Sequence, residues 1–327
     1  MLTHSLTHLL AYFLTHSLTH YITQSRVASY TFPFILQAPK DFFDAARDGN
    51  FSDVRKRLDE AALIRASANG DKAVCELLIT RGCNVDVQNK EGETALIIAS
   101  WKGHEEICEL LITRGCNVDM QSKNGWTALI IASEKGLEAV CELLITRGCN
   151  LDMPNKSGRT ALMCASENGL EAVCELLITR GCNLDSQNND GHTALMWASE
   201  NGDEAVCELL ITRGCNVDMQ DKDGDTALMW ASRWGYEAVC ELLITRGCNL
   251  DIQNKDGYTA LMEASSIESM NRDIPIVISL IKAGCDYSLR NKEGKSAMYY
   301  LVTNYPDKVE EVQVSRSPTA VVTHSLI

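Results

Sequence analysis

Apolar and polar positions follow a helical rhythm along most of this chain. Val74, Leu77 and Leu78 fall at i, i+3 and i+4, which puts them on one helix face, and Gly82 stands where a left-handed residue closes the C-terminus. Thr94 precedes another apolar run and offers its hydroxyl to a helix start. Ala95, Leu96 and Ala99 give that helix a small apolar face suited to close approach, and Gly103 ends it. Asp86 to Thr94 is polar, and its Asn89-Lys90-Glu91-Gly92 reads as a tight turn. The predicted unit is helix, turn, helix, then an extended hairpin.

The unit recurs. Thr-Ala-Leu begins at Thr94, Thr127, Thr160, Thr193, Thr226 and Thr259, always 33 residues apart, and CELLITRGCN begins at Cys75, Cys108, Cys141, Cys174, Cys207 and Cys240. A fixed period of this length predicts stacked repeats rather than one globular core.

The stretch Asp223-Gly224-Asp225-Thr226-Ala227-Leu228-Met229 resembles the ankyrin-repeat motif D-x-x-G-x-T-P-L-H, and the likeness extends over about Asp41 to Val314. It implies an all-α repeat solenoid with β-hairpin fingers, a stack of helix-turn-helix units. One departure is systematic. The family's Pro is Ala here, and its His is Ile97, Ile130, Met163, Met196, Met229 or Met262. Apolar packing is expected to replace the family's histidine hydrogen bonds. Burying such a side chain stabilises by about 1.5 to 3 kcal/mol, against about 1 kcal/mol net for a hydrogen bond.

The period defines the organisation. Residues 1–40 carry Thr-His-Ser-Leu tracts that recur at Thr323 to Leu326, a low-complexity pattern that reads as translated simple sequence and is expected to be disordered. The array is expected over 41–314. It comprises a degenerate first unit at 41–61, repeats at about 62–90, 91–123, 124–156, 157–189, 190–222, 223–255 and 256–292, and a closing unit at 293–314; a flexible tail at 315–327 follows. Gly49 lies 21 residues before Gly70, 12 short of the period, so the first unit's second helix is expected to run straight into Ala62-Leu63. Thr259 to Cys285 spans 26 residues where Thr226 to Cys248 spans 22, which predicts a longer loop within Ser266 to Pro275.

Composition narrows the function. Of 327 residues, 45% are hydrophobic, enough for a large core. The longest apolar stretch near the N-terminus, Leu9 to Leu14, is far short of the roughly 20 residues a membrane span needs, so no membrane insertion is expected. The same region makes a poorly formed leader peptide. The net charge of −14 disfavours nucleic acid. Residues 1–40 contribute +2, which leaves −16 for the rest and favours a partner with a basic surface.

The 14 Cys form six pairs at spacing eight, Cys75/Cys83 through Cys240/Cys248, with Cys164 and Cys285 over. No CxxC occurs, so zinc is not indicated. Thiols at these positions read as small packing groups in a reducing intracellular setting, the cytoplasm, with the nucleus left open. Five of the seven His lie in the low-complexity tracts. His104-Glu105 opens like a zinc-protease helix, but Cys108 stands where the second His belongs. A calcium loop aligned on Gly224 places Met219 and Trp230 at ligand positions, which excludes it. No catalytic signature is present, so neither an enzyme nor a cofactor is expected.

Differences among the repeats separate surface from scaffold. The residue after each turn Gly is Glu93, Trp126, Arg159, His192, Asp225, Tyr258 or Lys295, and a second variable pair ends the first helix at Trp101-Lys102, Glu134-Lys135, Glu167-Asn168, Glu200-Asn201 and Arg233-Trp234. The resemblance implies that hairpin tips and the first helix edge form a concave binding face. Lys90, Glu91, Glu93, Trp101, Lys102, Trp126, Glu134, Lys135, Arg159, His192, Asp225, Arg233, Trp234 and Tyr258 are therefore the candidate contacts, with aromatic residues and Arg as anchors. Positions free of packing constraint also vary by drift, and that reading stands beside the first. Trp197 and Trp230, inside first helices, read as core or inter-repeat packing. The ending Ser325-Leu326-Ile327 fits the pattern PDZ domains capture, through Ser325 and Ile327. The expected function is a monomeric protein-binding scaffold or adaptor. The alternative is a recruiting segment of a larger enzyme or channel.

Overall fold

The structure is a computed structural model that describes residues 51–266 and 274–315. The low-complexity segment, the start of the first unit, most of the Ser266 to Pro275 insertion and the Ser325/Ile327 ending lie outside the described residues. The chain divides into two compact bodies, residues 1–150 and 151–327.

The N-terminal body contains α1 (Phe51–Asn69), α2 (Lys72–Thr80), α3 (Ala95–Lys102), α4 (Glu105–Thr113), α5 (Ala128–Glu134) and α6 (Glu138–Thr146). Helix α1 is continuous through Ala62-Leu63 for 19 residues, and it buries Leu58, Ala62, Leu63 and Ala66 against α2 and α3. The C-terminal body contains α7 (Ala161–Glu167), α8 (Glu171–Thr179), α9 (Ala194–Asn201), α10 (Glu204–Thr212), α11 (Ala227–Trp234), α12 (Glu237–Thr245), α13 (Ala260–Ser265), α14 (Ile274–Lys282), α15 (Ala297–Asn304) and, after a short turn of 3-10 helix, α16 (Val309–Ser315). In this body first helices stack on first helices, α7 to α9 to α11 to α13, and second helices on second helices, α8 to α10 to α12 to α14.

Each repeat is assembled by the same few groups. The Thr hydroxyl caps the first helix: Thr226 Oγ1 accepts from the Met229 N–H at 3.4 Å. Met163, Met196, Met229 and Met262, standing where the family has His, are each 1% exposed, so apolar burial has taken over that position. The first cysteine of each pair meets a serine of the preceding helix, as in Ser166 Oγ to Cys174 Sγ and Ser199 Oγ to Cys207 Sγ, both 3.6 Å. Where the period is stretched, Val277 replaces that cysteine and Ser265 instead donates to the Leu261 carbonyl at 2.6 Å. The buried hydroxyl thus keeps a partner in either case.

The fingers differ from the expected β-hairpins: among the described residues none is in a strand. The Asn155 N–H donates to the Arg159 carbonyl at 2.9 Å and the Gly158 N–H to the Asn155 carbonyl at 2.9 Å. Asn155 Oδ1 accepts from the N–H groups of Ser157 and Arg159 at 2.9 and 3.0 Å. Backbone and side chain of Asn155 together close a tight turn without strand arms among the described residues. Finger passes to finger through the Asn189 N–H, which donates to the Ser157 carbonyl at 2.9 Å. That approach explains Gly158, with φ +80°: a Cβ there would meet the Asn189 nitrogen at 2.6 Å. The rungs of this finger stack fix the spacing of whatever side chains follow the turn.

Candidate functional site

Counted from the turn glycine, three positions of each repeat in the C-terminal body fall into columns beside the fingers, of which Cys164 is fully buried. The first holds Arg159, His192, Asp225, Tyr258 and Lys295; the sixth holds Cys164, Trp197, Trp230, Glu263 and Tyr300; the ninth includes Glu167, Glu200 and Arg233. The near-constant helices place these columns in register, and their side chains join across repeats.

At one end Arg159 is ion-paired with Glu167 of its own repeat, and its guanidinium lies over the Trp197 ring, 5.1 Å from the centroid. His192 stands edge-on between Trp197 and Trp230, with ring centroids 5.1 and 5.3 Å away. Asp221 ties this group together. Its Oδ2 lies 3.2 Å from His192 Nε2 and accepts the Trp230 indole N–H at 3.2 Å, while Oδ1 accepts the Asp223 and Asp225 N–H groups at 2.9 Å each. The hydrogen bond to Asp221 raises the His192 pKa above its ordinary value. Burial pushes the Asp221 carboxyl up, but the bonds from His192, the backbone and Trp230 together hold it below the usual carboxylate value.

Arg233 continues the chain. It lies over the Trp230 ring at 4.7 Å, donates to Asp225 Oδ2 at 2.9 Å, and grips Glu263 of the next repeat through Nε and Nη2 at 3.0 and 2.8 Å. Burial depresses the guanidinium's pKa, but the Glu263 and Asp225 carboxylates more than reverse that and raise it. Tyr258 meets Tyr300 hydroxyl to hydroxyl at 2.8 Å. That hydrogen bond, with burial, pushes the Tyr258 phenol up to about 12.

Asn254 joins this tyrosine pair to the rest, accepting the Tyr258 N–H at 2.9 Å and donating to Asp225 Oδ1 at 2.7 Å, so five sequence candidates, Arg159, His192, Asp225, Arg233 and Tyr258, are brought into one linked cluster. Trp234 is separate from it, 53% exposed. In the N-terminal body Lys90 and Glu91 are exposed at a finger tip, and Glu93 accepts from Asn89 Nδ2 at 2.8 Å. Trp101 is 52% exposed with Lys102 Nζ 4.4 Å from its ring centroid. Trp126 and Glu134 are partly buried and Lys135 is exposed.

The sixth column was missed. Trp197 and Trp230 do pack between repeats, but on the finger-side face and partly exposed, outside the core. Asp221, Glu263 and Tyr300 were not singled out at all. One signal marks Asp221, which stands where Asn155, Asn188, Asn254 and Asn291 open the other fingers of this body, and opposite charges at the first and ninth positions mark Arg159/Glu167 and Asp225/Arg233, whereas nothing local marks Glu263 or Tyr300. Trp197 Nε1 and Arg159 Nε are buried without a hydrogen-bond partner.

Among the described residues no group of three or more His, Cys, Asp or Glu is placed to hold a metal ion. No described helix is long and apolar enough to cross a membrane. The arrangement offers charge, stacking and hydrogen bonds to a macromolecular surface. A family model described as ankyrin repeats (3 copies) matches residues 42–121, 63–155, 114–188, 170–254 and 195–291. A comparison with curated proteins gave no match.

Proposed function

The chain belongs to the ankyrin-repeat family, and from that premise we propose that it is a non-catalytic scaffold or adaptor that binds a protein partner on its finger-side face. The observation that carries this reading is the convergence of variable residues: the positions that differ among otherwise near-identical repeats are the ones joined in the cluster from Arg159 to Tyr300. Drift at unconstrained positions accounts for variation but not for Arg159 with Glu167, His192 with Asp221 and Arg233 with Glu263 finding complementary partners.

The mechanism is rigid presentation. Stacked helices hold the side chains in place, so association loses little conformational entropy. Exposed Trp101 and Trp234 serve as anchors, and the net charge of −14 favours a basic partner surface over nucleic acid. The protein acts as a monomer inside the cell, a setting supported by 14 free thiols. The test is capture of a partner on the full chain, followed by binding of that purified partner to a Trp101→Ala/Trp126→Ala/Trp234→Ala variant. Loss of binding at an unchanged melting temperature supports the reading, and unchanged binding refutes it.

A further inference from the structure

Beside the finger of Asp225 the C-terminal body holds an open cleft of about 510 Å³. Asp225, Arg233 and Glu263 line it, with side chains 7%, 23% and 10% exposed. Two carboxylates share one guanidinium there, so the triad keeps a net negative charge largely out of water. Asp223 and Asp256 add two exposed carboxylates to the lining, against one further cation, Lys255. Lys292 approaches Asp256 at 3.7 Å, an exposed pair worth little, and Lys295, 5.9 Å from the Tyr300 ring centroid, is offset by Glu293 at 2.7 Å. The cleft is therefore short of positive charge, and attraction for a cation entering it is strengthened by the low effective dielectric around the triad.

The remaining wall is aromatic. Tyr258 and Tyr300 lie with ring centroids 5.9 Å apart and planes tilted by 36°. Asn291 Nδ2 donates to the Tyr300 hydroxyl at 2.9 Å. The ring faces, with the Asp223 and Asp256 carboxylates at the rim, suit a planar, weakly hydrated cation with several donors, which describes a guanidinium better than an ammonium. A metal ion fits poorly. Arg233 already donates to Asp225 Oδ2 and to both Glu263 oxygens, and Asn254 Nδ2 donates to Asp225 Oδ1 at 2.7 Å.

We propose that this cleft seats an arginine side chain presented by the protein partner. The inference rests on the reading of the finger-side face as a protein-binding surface and names the chemistry that one part of it selects.

The test is selection of peptides from a random display library against the full chain. Affinities of a selected peptide, and of its Arg→Lys and Arg→citrulline forms, are then measured for the wild type, for an Asp223→Asn/Asp256→Asn variant and for Glu263→Gln, with melting curves for each. The rim pair is exposed, so that variant is expected to fold even where Glu263→Gln does not. Selected peptides should share an arginine at one position. Citrulline in its place should weaken binding about tenfold, through loss of a charge-assisted contact, and lysine about threefold. The rim variant should weaken the arginine peptide about fivefold and leave the citrulline peptide unchanged. Peptides with no common basic residue, or equal losses for both peptides, would overturn the arginine seat while leaving the protein-binding reading intact. Failure to obtain any binding peptide would overturn both.

Discussion

Arg233 and Glu263, thirty residues apart in sequence, are joined by a two-pronged ion pair across adjacent repeats, with Nε to Oε2 at 3.0 Å and Nη2 to Oε1 at 2.8 Å. The same guanidinium serves Asp225, so its removal strands two buried carboxylates. Arg233→Met is expected to destabilise the protein by about 3 kcal/mol in urea unfolding. Neutralising the stranded groups in an Asp225→Asn/Arg233→Met/Glu263→Gln variant should recover much of that. If Arg233→Met unfolds at the wild-type urea concentration, the triad contributes nothing.

Trp197 and Trp230 occupy equivalent positions but differ in one bond. The Trp230 indole donates to Asp221, whereas the Trp197 N–H has no partner. Replacing each by Phe keeps an aromatic ring and removes the N–H. Trp230→Phe should therefore cost more stability than Trp197→Phe by about 1 kcal/mol or more. Equal losses would show that the Asp221 bond adds nothing beyond packing.

The pair His192 and Asp221 ties stability to pH. His192 has a raised pKa, so its contribution is full below the unfolded value of about 6.5 and lost as pH rises through the folded value. Asp221 has a lowered pKa, so its contribution is present above about 3.9 and lost as pH falls through the folded value. The pair thus helps most between about pH 4 and pH 6.5. His192→Gln should lower the urea midpoint clearly at about pH 5.5 and much less at about pH 8.5. The same loss at both values would contradict a charged pair.

The thiols are chemically quiet. Burial pushes Cys108, Cys141 and Cys174 up to about 11, and Cys116, Cys149, Cys182, Cys207, Cys215 and Cys248 up to about 12. At pH 8 the native protein should react slowly with a thiol reagent, because the thiolate is the nucleophile. Burial pushes Cys83 up to about 12 as well, but it is the one thiol that is partly exposed, so access rather than thiolate content should make it react first, and all 14 should react in denaturant. Rapid labelling of many native thiols would contradict this packing.

Repeat period, capping threonines and turn glycines were legible in the sequence because each acts within a few residues of itself. Thr226 needs only the Met229 N–H, and Gly158, at φ +80°, closes its turn on the Asn155 carbonyl three residues back. The site was legible by half. Variation after the turn glycine exposed Arg159, His192, Asp225 and Tyr258, but the contacts that join repeats are distant in sequence, 30 residues from Arg233 to Glu263 and 42 from Tyr258 to Tyr300. Glu263, a lone acid in a helix of small residues, says nothing until Arg233 is seen across from it. The fingers carry no strand among the described residues because the Asn155 side chain joins two backbone hydrogen bonds in closing a tight turn, and in sequence it looks like any polar loop residue.

The central claim is that the positions that vary among the repeats, not the near-constant second helices, meet the partner. Calorimetric titration of a purified partner tests it most directly, using the wild type, the Trp101→Ala/Trp126→Ala/Trp234→Ala variant and a Glu109→Ala/Glu142→Ala control on the second helices α4 and α6. The account predicts a loss of tenfold or more, about 1.4 kcal/mol, for the tryptophan variant and none for the control. Unchanged affinity in the tryptophan variant, or a comparable loss in the control, would contradict it.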